Sequence, residues 1–291
     1  IECEINLETE SGENEYSFRL EPAAKDTLVF ASEKFRFSRK EYSTPYDWTY
    51  LGSGHKEALL NERTDWVGQA VRNLLRKCVV HQFHDTSRLS GIRNKSKVKE
   101  SRALLEDGGN LAAFLYRLSR SKRIDELNAY RRIVDYARMV LPFFSEFVLE
   151  PEYDSVLLQW HEQGSDVVFD ASQASDGMLR VLALIALLAQ PENTLPALLL
   201  LDEPELGLHP YGITVLANLL KKISRHVQVI VATQSAALLD HFSPKDIVVL
   251  ERNGRESILE RKTEEQLHEW LQHYTLGEIW EKNLLGGGPL A

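Results

Sequence analysis

A run of apolar residues that ends abruptly in two carboxylates constrains this chain more than any other feature. Four leucines at positions 198–201 are followed directly by Asp202 and Glu203. Such a run is typical of a strand buried on both faces of a parallel sheet. Open α/β sheets bind their ligands at the carboxyl ends of such strands. The segment therefore predicts a parallel α/β core with both acids at the ligand-binding edge. The alternative is an ordinary strand-to-loop junction with solvated acids.

A carboxylate pair in this position matches the chemistry that an ATPase needs. Asp202 is suited to hold Mg²⁺ through water or a hydroxyl group. Glu203 is suited to orient and deprotonate the water that attacks the γ-phosphate. The pair thus indicates phosphoryl transfer to water rather than a binding function alone.

A predicted helix start lies upstream, at Ser175, Asp176 and Gly177, before the apolar stretch 181–188. Ser175 and Asp176 are good N-cap residues, and Gly177 lets an anion approach the backbone closely. The free N–H groups at the amino end of a helix attract phosphate. An ordinary capped helix is the alternative interpretation.

A second buried strand is predicted downstream, at residues 227–232, and it ends in Thr233, Gln234 and Ser235. Because the carboxyl ends of parallel strands meet at one edge of a sheet, we expect these polar side chains to face the same cleft as Asp202.

The order and spacing of these three segments resemble the carboxyl half of an ABC-type ATPase head. Within that superfamily the chain is similar to the RecF/SMC-like ATPases of bacteria, the predicted AAA-family ATPases. The resemblance extends to further parts of the sequence, namely residues 84–87, 110–115, 205–210, 276–280 and 286–289.

The resemblance implies a role for each motif. Residues 175–177 correspond to the signature motif, and residues 205–209 to the D-loop. Asp202 and Glu203 correspond to the Walker B pair, with Asp202 as the metal ligand and Glu203 as the catalytic base. Gln234 stands where transporter ATPases carry a switch histidine, and its amide can still hydrogen-bond to phosphate or water.

The resemblance also implies a fold and an assembly. The expected fold is an α/β, ABC-ATPase-like P-loop NTPase head, with an N-terminal antiparallel β region, a helical insert and a mostly parallel core sheet. The expected cofactors are ATP and Mg²⁺. In the family two heads face each other head-to-tail, so Ser175, Asp176 and Gly177 are expected to contact ATP held by the opposite subunit. His209 is expected at the same nucleotide site as a D-loop residue that touches the partner subunit, and a cap before Pro210 is the alternative. A homodimer or higher oligomer follows.

The phosphate-binding motif G-x-x-x-x-G-K-[ST] has no match in the sequence. The nearest string, which runs from Gly52 to Lys56, fails on spacing and lacks the hydroxyl residue after the lysine. We expect the chain, which begins at Ile1, to be part of a longer protein that carries this motif, and to be inactive alone. The alternative is a scaffold or protein-binding module that retains the head fold without hydrolysis.

The periodicity of the sequence divides the chain into three parts. Residues 1–60 alternate at period two and predict antiparallel strands, with a hairpin turn at residues 11–14. Residues 61–150 shift toward helical period, and one apolar stripe ends at Pro142. Residues 151–291 predict the signature, Walker B and switch lobe, with an Asn253-Gly254 hairpin and a helix through His273 that opens on a capping box at Thr263.

The charge distribution bears on partners. The chain has a formal net charge of −9, but the stretch from Asp85 to Arg132 carries 12 Lys/Arg against 6 Asp/Glu. Contacts to nucleic-acid phosphates are therefore expected at Arg93, Lys95, Lys97 and Lys99, with a solvated helical face as the alternative. A separate nuclease or effector protein is a further expected partner, in DNA repair or phage defence.

Composition favours a soluble cytoplasmic protein. No apolar run approaches the roughly 20 residues of a membrane span, so no membrane partner is expected. The two cysteines, Cys3 and Cys78, are too few and too far apart to indicate a disulfide framework or a zinc site.

Overall fold

Alternating apolar residues near the amino terminus form an antiparallel sheet. In the computed structural model, which describes residues 1–24, 26–40, 46–254 and 256–287, this sheet has strands in the order of the chain. The strands are β1 (Glu2–Glu8), β2 (Gly12–Ala23), β3 (Thr27–Arg39) and β4 (Thr49–Gly52). Phe35 and Tyr16 lie on its buried face. The predicted antiparallel β region is therefore confirmed. The predicted turn at residues 11–14 was wrong, because β2 already begins at Gly12 and the chain turns between Thr9 and Gly12.

One face of this sheet packs against helix α1 (Trp66–Leu75). Asp65 caps the helix, since its carboxylate accepts a hydrogen bond from the Gly68 backbone N–H at 2.9 Å. Val71 and Leu60, which lies in a short 3₁₀ turn, are buried against the aromatic side chains of the sheet. These elements belong to one compact unit, Ile1–Cys78.

The second compact unit, Val79–Ala291, contains both strands and helices, and these alternate in its later part. Its strands are β5 (Cys78–His81), β6 (Ser96–Lys97), β7 (Phe144–Val148), β8 (Ser155–Val156), β9 (Gln159–Glu162), β10 (Val168–Asp170), β11 (Leu198–Asp202), β12 (Gln228–Ala232), β13 (Val248–Asn253) and β14 (Glu256–Arg261). Its helices are α2 (Leu111–Ser119), α3 (Ile124–Val140), α4 (Asp176–Leu188), α5 (Pro210–Ile223), α6 (Ala236–Leu239), α7 (Glu264–Leu271) and α8 (Leu276–Glu281). The predicted division at residues 60/61 and 150/151 stays a prediction.

The core sheet of this unit places β11 between two neighbours. Among the described residues its strand order is β12-β11-β5. β11 and β12 run parallel, so that Asp202 at the end of one strand is paired with Ala232 at the end of the other. The predicted mostly parallel core, and with it the α/β fold class, is confirmed. The residues that follow β11 and β12 therefore lie at the same edge of the sheet.

Helix α4 is the most deeply buried helix in this layer. Leu179, Leu182 and Ile185 are at most 2% exposed. Ser175 caps the helix, because its Oγ accepts a hydrogen bond from the Met178 backbone N–H at 3.2 Å. Asp176 is the first helical residue rather than the cap.

The carboxyl-terminal elements follow their local signals with one difference. The hairpin of β13 and β14 turns at Asn253-Gly254, and the capping box at Thr263 opens α7 as predicted. The predicted end of that helix at His273 was wrong, since α7 ends at Leu271 and α8 follows. Residues 288 and 289 of the predicted 286–289 motif lie outside the described residues. None of the described helices has the length and apolar character that spanning a membrane requires.

Candidate functional site

The two carboxylates identified from the sequence follow one another at the end of the central strand β11. Asp202 is its last residue, and Glu203 begins the loop that leads to α5. The Glu203 backbone N–H donates to the Ala232 carbonyl at 2.8 Å, which extends the pairing with β12 by one bond. Glu203 has φ +39°, in the left-handed region that favours glycine. A glutamate in this conformation costs about 1–2 kcal/mol, so the surrounding structure must hold it there.

Residues that follow β5 contact Asp202 from the other side. The Gln82 side-chain amide donates to Asp202 Oδ2 at 3.2 Å, and His84 Nε2 donates to the Asp202 carbonyl at 2.9 Å. Neither residue was predicted as part of the site. The signal that could have found them is the position of two polar residues directly after the apolar strand β5, which is the pattern that singled out Gln234 after β12.

A small pocket opens at this edge of the sheet. Its walls combine apolar residues from the core with the polar residues described above. The lining residues are His81, Phe83, His84, Arg180, Leu184, Leu201, Asp202, Glu203, Pro204 and Leu206. The two carboxylates therefore border a recess rather than a flat surface.

The segment after β12 is held by hydrogen bonds on both sides of Gln234. The Ser235 backbone N–H donates to Thr233 Oγ1 at 3.0 Å, and Ser235 Oγ caps α6. The Gln234 carbonyl accepts a hydrogen bond from Trp280 Nε1 at 3.1 Å. The Gln234 side chain is exposed, so its amide is accessible to a ligand.

Glu205, the second carboxylate of the loop after β11, faces this segment. Thr233 Oγ1 donates to Glu205 Oε1. Burial raises the pKa of Glu205, the nearby charges of Glu203 and Asp202 raise it further, and the hydrogen bond from Thr233 opposes the rise. The loop after β11 and the segment after β12 are therefore joined through side chains as well as through backbone.

The amino end of α4 contacts the same loop. A Cβ atom added to Gly177 would lie 2.6 Å from the Gly207 carbonyl oxygen, so only glycine allows this approach. Asp176 is exposed and forms an ion pair with Arg93 at 2.8 Å. Hydrogen bonds from Thr86 and Arg93 lower the pKa of the Asp176 carboxyl group. Ser175 is exposed beside it.

The predicted D-loop histidine is placed at the start of the next helix. His209 is exposed, and its Nδ1 accepts a hydrogen bond from the Tyr211 backbone N–H at 3.3 Å. It therefore caps α5, with Pro210 in the first turn.

The four basic residues predicted to contact nucleic acid differ in availability. Arg93 is 11% exposed, and its guanidinium donates to the carbonyls of Thr86, Ala171 and Ala174. These bonds give Arg93 a structural role and occupy the guanidinium N–H groups that a phosphate would need. Lys95 is paired with Glu152, whereas Lys97 and Lys99 are exposed.

The parallel core sheet, with a carboxylate pair after its central strand, fits the AAA domain of an ATPase. A family model described as "AAA domain, putative AbiEii toxin, Type IV TA system" matches residues 1–240, and the chain belongs to that family. This match confirms the resemblance found in the sequence.

Solved structures of SMC heads are similar at low identity. The SmcHead bound to the C-winged helix domain of ScpA is 14% identical, with 86% of this chain and 74% of that chain covered and a TM-score of 0.47. An Smc head domain with an extended coiled coil, bound to the C-terminal domain of ScpA and derived from Pyrococcus furiosus, is 16% identical, with 90% and 79% covered and a TM-score of 0.46. The search of curated proteins gave no match.

Proposed function

We propose that this chain binds ATP and hydrolyses it as the head of a nucleotide-gated dimer. The observation that carries the proposal is the placement of Asp202 and Glu203 at the end of the central strand, with Glu203 in a left-handed backbone conformation held by Ala232. Open α/β sheets bind ligands at this edge, and backbone strain in proteins concentrates at functional sites.

The carboxylate of Asp202 is the proposed protein ligand of Mg²⁺ at this edge, although no group of three or more His, Cys, Asp or Glu side chains among the described residues forms a metal site. Asp202 is partly exposed and Oδ2 accepts one hydrogen bond from the amide of Gln82. Among the described residues, Glu205 Oε2 is a buried oxygen without a hydrogen-bond partner. Carboxylate and amide oxygens are the hard ligands that Mg²⁺ prefers. Asp202 would hold the ion, which when bound would neutralise charge on the phosphates of ATP.

Glu203 and Gln234 are proposed to act on the attacking water. Glu203 accepts the proton of the water as general base, and the exposed amide of Gln234 orients the water or hydrogen-bonds to the γ-phosphate. Support comes from the parallel pairing of β11 and β12, which brings the residues after both strands to one edge.

The proposed dimer contact is the exposed surface at the amino ends of α4 and α5. Ser175, Asp176 and His209 are exposed there, and Gly177 lies against the loop that contains the carboxylates. In the dimer, Ser175 and Gly177 would bind the γ-phosphate of the ATP held by the opposite subunit. Hydrolysis would then change the affinity of the two heads for each other.

A role in DNA repair or phage defence is proposed from the basic stretch between Asp85 and Arg132. Lys97 and Lys99 are its exposed candidates for phosphate contacts, since Arg93 and Lys95 already have protein partners. Such contacts bind nucleic acid without sequence preference and weaken with salt. A separate nuclease or effector would then bind the dimer in a way that depends on its bound nucleotide.

The test is the substitution Glu203→Gln in the natural protein. Loss of a general base lowers turnover by about 10²–10⁴-fold, whereas ATP binding is retained because the side chain keeps its size. Turnover is measured as phosphate release, binding by titration with labelled ATP, and dimer formation by light scattering. We expect the variant to accumulate as an ATP-bound dimer.

Glu281→Gln is the matched control, because Glu281 is an exposed glutamate at the end of α8. Unchanged turnover in Glu203→Gln would remove Glu203 from the mechanism. A natural protein that neither binds nor hydrolyses ATP would support the alternative, a scaffold with the head fold. That alternative draws on the absence of a G-x-x-x-x-G-K-[ST] string from this sequence.

A further inference from the structure

Glu205 is the acidic residue of the loop after β11 that lies outside the pair Asp202–Glu203, and its contacts differ from those of that pair. Oε1 accepts the hydroxyl proton of Thr233, and Oε2 is buried without a hydrogen-bond partner among the described residues. A buried carboxylate with only one of its two oxygens hydrogen-bonded adds little to the stability of the fold. The stability gained from the one hydrogen bond is offset by the cost of burying the oxygen that has none.

The hydrogen bond to Glu205 belongs to a directional chain that ends beside Gln234. The Ser235 backbone N–H donates to Thr233 Oγ1 at 3.0 Å, and the Thr233 hydroxyl donates onward to Glu205. The Thr233 hydroxyl has a single proton, and it donates this proton to Glu205 while its oxygen accepts the hydrogen bond from Ser235. Glu205 therefore fixes the rotamer of Thr233, which fixes the turn on both sides of Gln234.

The opposite side of this turn is fixed by a different element. The Gln234 carbonyl accepts from Trp280 of α8, so the peptide after Gln234 cannot rotate freely. With both flanks held, the remaining freedom at Gln234 is that of its exposed side chain.

We propose that Glu205 is a positioning residue: it anchors the turn 233–235 to the loop 203–209 and thereby sets where the Gln234 amide lies relative to Glu203. The anchoring follows from the hydrogen bonds alone, and its effect on hydrolysis rests on the proposed function. Glu205 acts through Thr233 and does not itself touch the reacting atoms. A misplaced orienting group lowers the rate of the chemical step without weakening ground-state binding.

The activity test is a double-mutant cycle in the natural protein with Glu205→Ala and Thr233→Val. Each single variant is expected to lower kcat about tenfold, the equivalent of one lost hydrogen bond, and to change KM for ATP less than about twofold. Because both act through one link, the double variant should be no slower than the slower single variant. Thr233→Ser, which keeps the hydroxyl, should restore the turnover that Thr233→Val loses.

Thr214→Val is the matched control, since Thr214 in α5 also donates its hydroxyl, to the Pro210 carbonyl at 3.4 Å. It should leave kcat unchanged. Losses that multiply in the double variant, or a change in KM with unchanged kcat, would overturn the positioning role.

Amide hydrogen exchange separates this proposal from the proposed function. In Glu205→Ala, the Ser235 amide should exchange at least about tenfold faster than in the wild type, because its acceptor is no longer held in place. Unchanged exchange would overturn the anchoring whatever the activity. A wild type without turnover would overturn the proposed function, and the exchange rates would still decide whether Glu205 anchors the turn.

Discussion

His81 is a buried imidazole at the end of β5 that no step of the proposed chemistry uses. It is 5% exposed, and its Nδ1 has no hydrogen-bond partner in the described part of the chain. Burial lowers the pKa of His81 to about 4, and a hydrogen bond with the Leu105 backbone opposes the shift. The ring is therefore neutral in the folded protein at every pH at which the site is expected to work.

This imidazole predicts acid sensitivity with a definite sign. An unfolded histidine binds a proton near pH 6.5 and the folded one near pH 4, so stability present above pH 6.5 is lost as the pH falls toward 4. The difference corresponds to about 3 kcal/mol. Urea unfolding between pH 7 and pH 4 should show this loss in the wild type and a smaller loss in His81→Leu.

His268→Leu is the control for that experiment, because His268 is exposed in α7. Its removal should leave the slope of stability against pH as it is in the wild type. An equal slope in His81→Leu and the wild type would mean that His81 titrates normally in the folded protein.

Several residues of the site could be predicted from their neighbours in the sequence. The tertiary contacts of the site could not. The Ser175 cap and the position of Asp202 follow from neighbours in the sequence. The contacts of Gln82 and His84 with Asp202 join residues 120 and 118 positions apart, and no local pattern specifies such a pair. The hydrogen bonds of Arg93 to Ala171, Ala174 and Asp176 could not be predicted for the same reason.

At the scale of elements, the close approach of α4 to the loop after β11 has a measurable consequence. Gly177→Ala adds a methyl group 2.6 Å from the Gly207 carbonyl oxygen, and backbone at this position cannot turn aside as a side chain can. Overpacking of this kind costs about 1–3 kcal/mol, which outweighs the gain of roughly 1 kcal/mol in helix propensity. Urea unfolding should show a less stable variant.

Gly212→Ala in α5 is the matched helical control. The nearest atom to its added Cβ is a methyl carbon of the Val140 side chain at 3.3 Å, which can move by the few tenths of an ångström required. We expect this variant to be close to neutral. Equal stability of the two variants would show that the loop around Gly207 moves away from the added methyl group at no cost in stability.

Elements with strong local signals were predicted better than those that depend on packing. Asn253-Gly254 marked the last hairpin, and the capping box at Thr263 marked the start of α7. Helix α8 has six residues and was missed. Its start carries a local signal, a capping box at Thr275, but a helix of this length also needs tertiary contacts, which Ile279 and Gly277 supply.

At the scale of the whole molecule, ligand binding should appear as stability. A ligand that binds only the folded state adds about 2.7 kcal/mol at 100 times its Kd. In the natural protein, ATP with Mg²⁺ should therefore raise Tm, and Asp202→Ala or a chelator should remove most of the rise. Thermal unfolding followed by calorimetry measures both.

Asp135→Ala is the control for the metal ligand, since Asp135 is an exposed carboxylate of α3. It should retain the full rise in Tm. The same rise in Asp202→Ala as in the wild type would place Asp202 outside the nucleotide site.

The division of the whole chain followed from periodicity only in outline. Alternation at period two predicted the β-rich amino-terminal part, and β/α alternation predicted the parallel core. Where one unit ends depends on which surfaces pack together, as α1 does against the amino-terminal sheet. Periodicity within one element carries no information about that choice.

The left-handed backbone at Glu203 has a consequence for engineering this protein. Glycine adopts φ +39° without strain, so a redesign that optimises stability alone would exchange Glu203 for glycine. That exchange would remove the carboxylate on which the proposed hydrolysis depends. At this position thermostability and catalysis make opposite demands on the same residue, and selection for one is selection against the other.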